Sequence, residues 1–97
     1  MIQEITLAAE SEMPIKPLLE SAIRSELEKL RLAIVRTKRR LDQFEEKYEM
    51  DTIQFKKKYE TAELVESLDF IEWFGEIETL SALISRQKAL TGVSFVD

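Results

Sequence analysis

Apolar positions through the first half of this chain recur with the period of a helix. Ile23, Leu27, Leu30, Ile34, Thr37, Leu41, Phe44 and Tyr48 follow at alternating steps of four and three. That heptad spacing keeps one stripe turned toward a neighbouring helix. Pro17 suits the first helical turn, where a missing N–H costs nothing, so the pattern predicts a long helix over residues 17–49. At 1.5 Å per residue it spans about 50 Å, far beyond the usual helix. A stripe that long needs a second long helix to cover it.

The pattern breaks at Asp51, an N-cap residue with Gln54 three positions later, the spacing of a capping box. A short helix over residues 51–61 is expected, with Phe55 and Tyr59 on one face. After a connector, Ser67 caps a third helix over 68–91 that carries Phe70, Trp73, Ile77, Leu80 and Ile84 on one seam. Thr91-Gly92 ends it, with glycine free to take the left-handed conformation. Before the first helix, MIQEITL alternates loosely, and Pro14 and Pro17, three residues apart, disfavour helix across the gap. Residues 1–16 therefore read as a short strand or extended arm, and 92–97, with VSFVD alternating, as an extended tail or edge strand. The expectation is a single all-α domain over 1–97: an antiparallel hairpin of two long helices with a short capped helix between them. The first helix has more seam than a third helix of this length covers. Leu27, Leu30, Ile34 and Leu41 thus become candidate self-association residues, and a homodimer is expected.

Composition narrows the function. Two Gly and two Pro among 97 residues fit a helix-rich chain. With no Cys and no His, the usual zinc ligands and the commonest general base and nucleophile are missing, so no catalytic residue, metal site or cofactor is assigned. No apolar run approaches the roughly 18 residues of a membrane span, and no basic segment opens the chain, so the cytoplasm is the expected location. The net charge of −5 is uneven: residues 61–97 carry two basic and seven acidic side chains. Such a surface repels a phosphate backbone and attracts a basic protein. The basic runs, Arg36 with Lys38 to Arg40 and Lys56 to Lys58, read as solvated helix faces, and nucleic-acid binding is not expected.

Seven of the eight aromatics fall between Phe44 and Phe74. They fit the hydrophobic elbow where the helices turn. They also fit a docking surface, because Phe70, Ile71, Trp73 and Phe74 form an apolar arc too broad for one seam. On that reading Phe55, Tyr59, Phe70, Ile71, Trp73 and Phe74 meet a partner, with Glu72 and Glu76 facing a basic cleft. Gly75, within the same helix, invites close approach of another helix backbone. A third pattern, Glu46-x-x-Glu49 and Glu66-x-x-Asp69 separated by sixteen residues, matches the spacing of Mg²⁺-dependent all-α nucleotide pyrophosphohydrolases. Nineteen acids in so short a chain generate such spacings readily.

The order of FEEKY at 44–48, Met50, Asp51, Phe55, Tyr59-Glu60, Glu63-Leu64, Asp69 and Glu72-Trp73 resembles a small helical antitoxin-like family (TumA-like). Members belong to prokaryotic two-gene toxin–antitoxin modules. The resemblance covers about residues 41–84, under half the chain. Glu49 and Ala62 stand where that family commonly has Gly. The resemblance implies a protein that binds and neutralises a toxin encoded next to it, on a basic surface such as that of an RNA-processing enzyme. The alternatives are a homo-oligomeric coiled-coil scaffold and, lower, the pyrophosphohydrolase.

Overall fold

The computed structural model describes residues 1–96. Three helices make up the fold: α1 over Ile15–Tyr48, α2 over Thr52–Glu60 and α3 over Leu68–Thr91. α1 and α3 form an antiparallel hairpin, and α2 crosses its closed end. Ion pairs between Lys47 and Asp69 and between Arg40 and Glu76 fix the register, since a step forward along α3 matches a step back along α1. At a shared rise of 1.5 Å per residue, Thr91 falls level with about residue 25, and the first turns of α1 extend beyond α3.

The heptad seam is spent inside the chain. Leu30, Ile34, Thr37 and Leu41 are buried and Leu27 is half-buried. Leu30, Ile34 and Leu41, read as self-association residues, thus lie inside this fold, and Leu27 is half-buried beside them.

α1 starts two residues before the expected position. Pro14 is its N-cap in extended conformation (φ −63°, ψ 119°), which places Pro17 in the first turn, where its missing N–H has no partner to lose. Residues 1–11 form neither helix nor strand, and side chains 1–14 are exposed, so the N-terminus is an arm rather than a strand. Residues 93–96 are not a strand either; neither segment finds a ladder partner among the described residues. Asp97, the last residue of the proposed tail, lies outside them. Gly92 caps α3 at φ −82°, so the expected left-handed glycine is absent there. The left-handed positions are Glu49 (φ 49°) and Ala62 (φ 56°), one on each side of α2.

Both predicted side-chain caps are present. Asp51 Oδ1 accepts from the Gln54 N–H at 2.7 Å, and Ser67 Oγ accepts from the Phe70 N–H at 3.2 Å. The second acceptor at the start of α2 is the Glu45 carboxylate, which takes the Thr52 N–H at 2.6 Å, rather than the Gln54 side chain of a capping box. That bond ties α2 to the last turns of α1.

Candidate functional site

The closed end of the hairpin is an aromatic stack centred on Trp73 of α3. Trp73 and Phe55 are fully buried. Their rings lie face to face, 3.9 Å apart and within 3° of parallel. Phe44 and Tyr48 of α1 also stack on Trp73, at 5.5 and 5.9 Å. Phe70 meets Tyr48 edge-on at 5.1 Å, and Tyr59 packs on Phe74 at the same distance. The Trp73 indole N–H donates to Thr52 Oγ1 at 3.2 Å, so its one polar atom is satisfied. All seven aromatics of the cluster thus belong to the elbow. Phe55 and Trp73, read as partner-contacting residues, are fully buried in this fold, where they lock α2 and α3 onto α1. Tyr59, Phe70 and Phe74 are half-buried in the same stack.

A polar rim surrounds the stack. Asp69 Oδ2 accepts from Lys47 Nζ at 2.6 Å and from the Tyr48 hydroxyl. The hydrogen bond from Lys47, then that from Tyr48, holds the Asp69 carboxyl below its ordinary value. The same bonds to Asp69 push the Lys47 ammonium and the Tyr48 phenol upward. Tyr59 donates to Glu66 Oε1 at 2.8 Å, which raises its phenol. Arg40 Nη1 meets Glu76 Oε1 at 3.0 Å, while Glu76 Oε2 is buried with no hydrogen-bond partner among the described residues. Glu76 is therefore half-withdrawn into an intramolecular pair, whereas Glu72 is exposed.

Between α1 and α3 this rim borders an open groove of about 720 Å³, lined by Arg40, Gln43, Lys47, Glu72, Gly75 and Thr79 among others. A Cβ built on Gly75 meets nothing within 4 Å, so the close helix expected beside it is not supplied by this chain. Of the predicted binding residues, Ile71 and Glu72 face outward, with Ile71 49% exposed. They are joined by a residue the sequence reading assigned only to a helix start: Leu68, 79% exposed. Leu68, Ile71, Glu72 and Gly75 follow at steps of three, one and three, which puts them on adjoining parts of one α3 surface. The signal was available, since Leu68 and Ile71 lie five and two residues before Trp73 and so turn away from it by well over a right angle. Ile53 and Val65, also exposed, extend the apolar character around α2 and the connector.

The carboxylates of the pyrophosphohydrolase pattern do not converge. Glu66 is held by Tyr59, Asp69 by Lys47 and Tyr48, and no group of three or more acids able to hold a metal occurs among the described residues. No described helix is long and apolar enough to cross a membrane. The arrangement is a packed aromatic base with an apolar and acidic outer face at the start of α3. No family model, curated protein or solved structure matches the chain.

Proposed function

We propose that this protein is an antitoxin-like binding module that neutralises a toxin encoded beside it, using the outer face at the start of α3. The observation that carries this reading is the pairing of exposed Leu68 and Ile71 with Glu72 on a helix whose opposite side is locked by the Trp73 stack. Large aliphatic side chains held in water on a rigid element favour a partner that covers them. The acidic balance of residues 61–97 suits a basic partner surface. The resemblance over about residues 41–84 supplies the kind of partner; the physical features alone support a protein-binding helix pair.

The test is co-expression with the product of the adjacent gene. A toxic neighbour whose effect is relieved by the wild-type chain, but not by Leu68→Arg with Ile71→Arg, supports the reading, provided the variant keeps its helix content. Both positions are exposed, so folding is expected to persist. A harmless neighbour, or full relief by the double variant, overturns it.

A homo-oligomeric scaffold is the second reading, favoured by extended shape. The radius of gyration is 19.1 Å, whereas a compact chain of this length has about 12.5 Å.

A further inference from the structure

We propose that the N-terminal arm of one copy docks along the outer side of α1 in a second copy, giving a reciprocal dimer. This goes beyond toxin binding and uses a different surface. On α1, away from its buried seam, Leu32 and Val35 are 48% and 44% exposed. Arg36 and Arg39 follow each of them by four residues, which places all four on neighbouring rows of one helix surface. Neither arginine is in an ion pair among the described residues, although Arg31, Arg40 and Lys47 are. The result is an apolar and basic stripe with nothing of its own chain upon it.

The arm has the opposite character. Residues 1–14 contain Glu4, Glu10 and Glu12 with no Lys or Arg, and the apolar Ile2, Ile5 and Leu7 are 88%, 78% and 66% exposed. Apolar and acidic side chains on the arm match apolar and basic ones on a helix. The arm leaves through Pro14 in extended conformation, and two α1 helices packed antiparallel along their first halves bring each arm to the stripe of its partner. The first turns of α1, which α3 does not reach, are covered in the same step.

Area argues for a second copy. The chain exposes 8121 Å², whereas a compact monomer of its mass exposes about 5,700 Å². The surplus, about 2,400 Å², exceeds the roughly 800 Å² that each partner of a standard interface buries. A two-fold pair also satisfies both arms and both stripes together.

The test is the molar mass of the full chain by light scattering over a dilution series down from about 100 µM, a concentration that populates any dimer of micromolar Kd, so that a weakened dimer dissociates earlier in the series. Wild type is expected at twice 11.3 kDa. Glu10→Lys with Glu12→Lys, and separately Arg36→Glu with Arg39→Glu, are each expected to weaken the dimer at least tenfold. All four positions are exposed, so circular dichroism should be unchanged. The two variants mixed in equal amounts should dimerise again, because each arm then meets a stripe of opposite sign. A monomeric wild type overturns the proposal, as does a dimer that neither variant weakens. Absence of rescue on mixing also overturns it, including the case where only the four changes in one chain restore wild-type behaviour and the arm folds back on its own helix.

Discussion

Glu49 and Ala62 hold backbone conformations that suit glycine, at φ 49° and 56°. An L-residue in the left-handed region costs roughly 1–2 kcal/mol, while glycine loses part of that gain through a freer unfolded chain. Glu49→Gly and Ala62→Gly are each predicted to stabilise the protein by about 0.5–1 kcal/mol, raising Tm by a few degrees for a domain of this size. Thermal denaturation checks this, and a fall in Tm would show that the side chains matter more than the backbone. At the centre of the elbow the opposite holds. Trp73→Ala removes a fully buried ring stacked on Phe55 and is predicted to cost about 3–5 kcal/mol. Thr52→Val, which orphans only the indole N–H, should cost about 1–3 kcal/mol. Denaturant titrations rank the two, and an equal or reversed order would contradict the stack as the main lock. The rim sets the pH dependence. Asp69, with its carboxyl lowered by Lys47 and Tyr48, stabilises the fold above its unfolded value of about 3.9 and ceases to as pH falls through its lower folded value. Tyr48, Tyr59 and Lys47 are raised, so their contributions are complete below about pH 10 and vanish as pH rises through their folded values. Melting temperatures should therefore respond to these groups only at the acid and alkaline ends, and Asp69→Asn should weaken both limbs. A midpoint change between pH 6 and 8 traceable to Asp69 would contradict this assignment.

At the level of helices, the seam, the caps and the hairpin were readable because each rests on local spacing. Alternating steps of four and three placed Leu30, Ile34, Thr37 and Leu41 on one face, and the structure buries that face. Asp51 and Ser67 announced helix starts through their short polar side chains, and both cap as expected. What covers a face is less readable, because periodicity shows that a stripe is buried and not by which neighbour. The seam read as a contact between copies is filled by α3. Trp73 suffered the same ambiguity: its size suits an interface, but α2 supplies Phe55 as a parallel ring and closes over it. The exposed face at the start of α3 was only half legible: Ile71 and Glu72 were singled out, while Leu68 was absorbed into a helix start. Gly75 tests the revised face at this scale. Its missing Cβ meets nothing within 4 Å, so Gly75→Ala is predicted to stabilise α3 by up to about 1 kcal/mol. Gly75→Leu should leave the fold intact yet obstruct the neighbouring partner surface. Loss of helix content in Gly75→Leu, read by circular dichroism, would mean that the position is needed inside the chain instead.

As a whole, the molecule is a rod of 60 × 25 × 18 Å with its best-packed core at one end. α2 reinforces only that end, and the rest of the hairpin has two helices where a compact domain would add a third. Such a chain gains stability from whatever binds its native surface, in proportion to the logarithm of the partner's concentration over Kd. The two proposed contacts lie apart, one at the start of α3 and one on the outer side of α1, so a toxin and a second copy can be bound together. Variants at one surface are predicted to leave the other contact within about 0.5 kcal/mol of wild type, the tolerance for distant sites. The most direct measurement is calorimetric titration of the adjacent-gene product with wild type and with Leu68→Arg, Ile71→Arg. Saturable binding by wild type, weakened at least a hundredfold in a variant of unchanged Tm, is the predicted result. No binding by wild type, or equal affinity in both, would contradict the account.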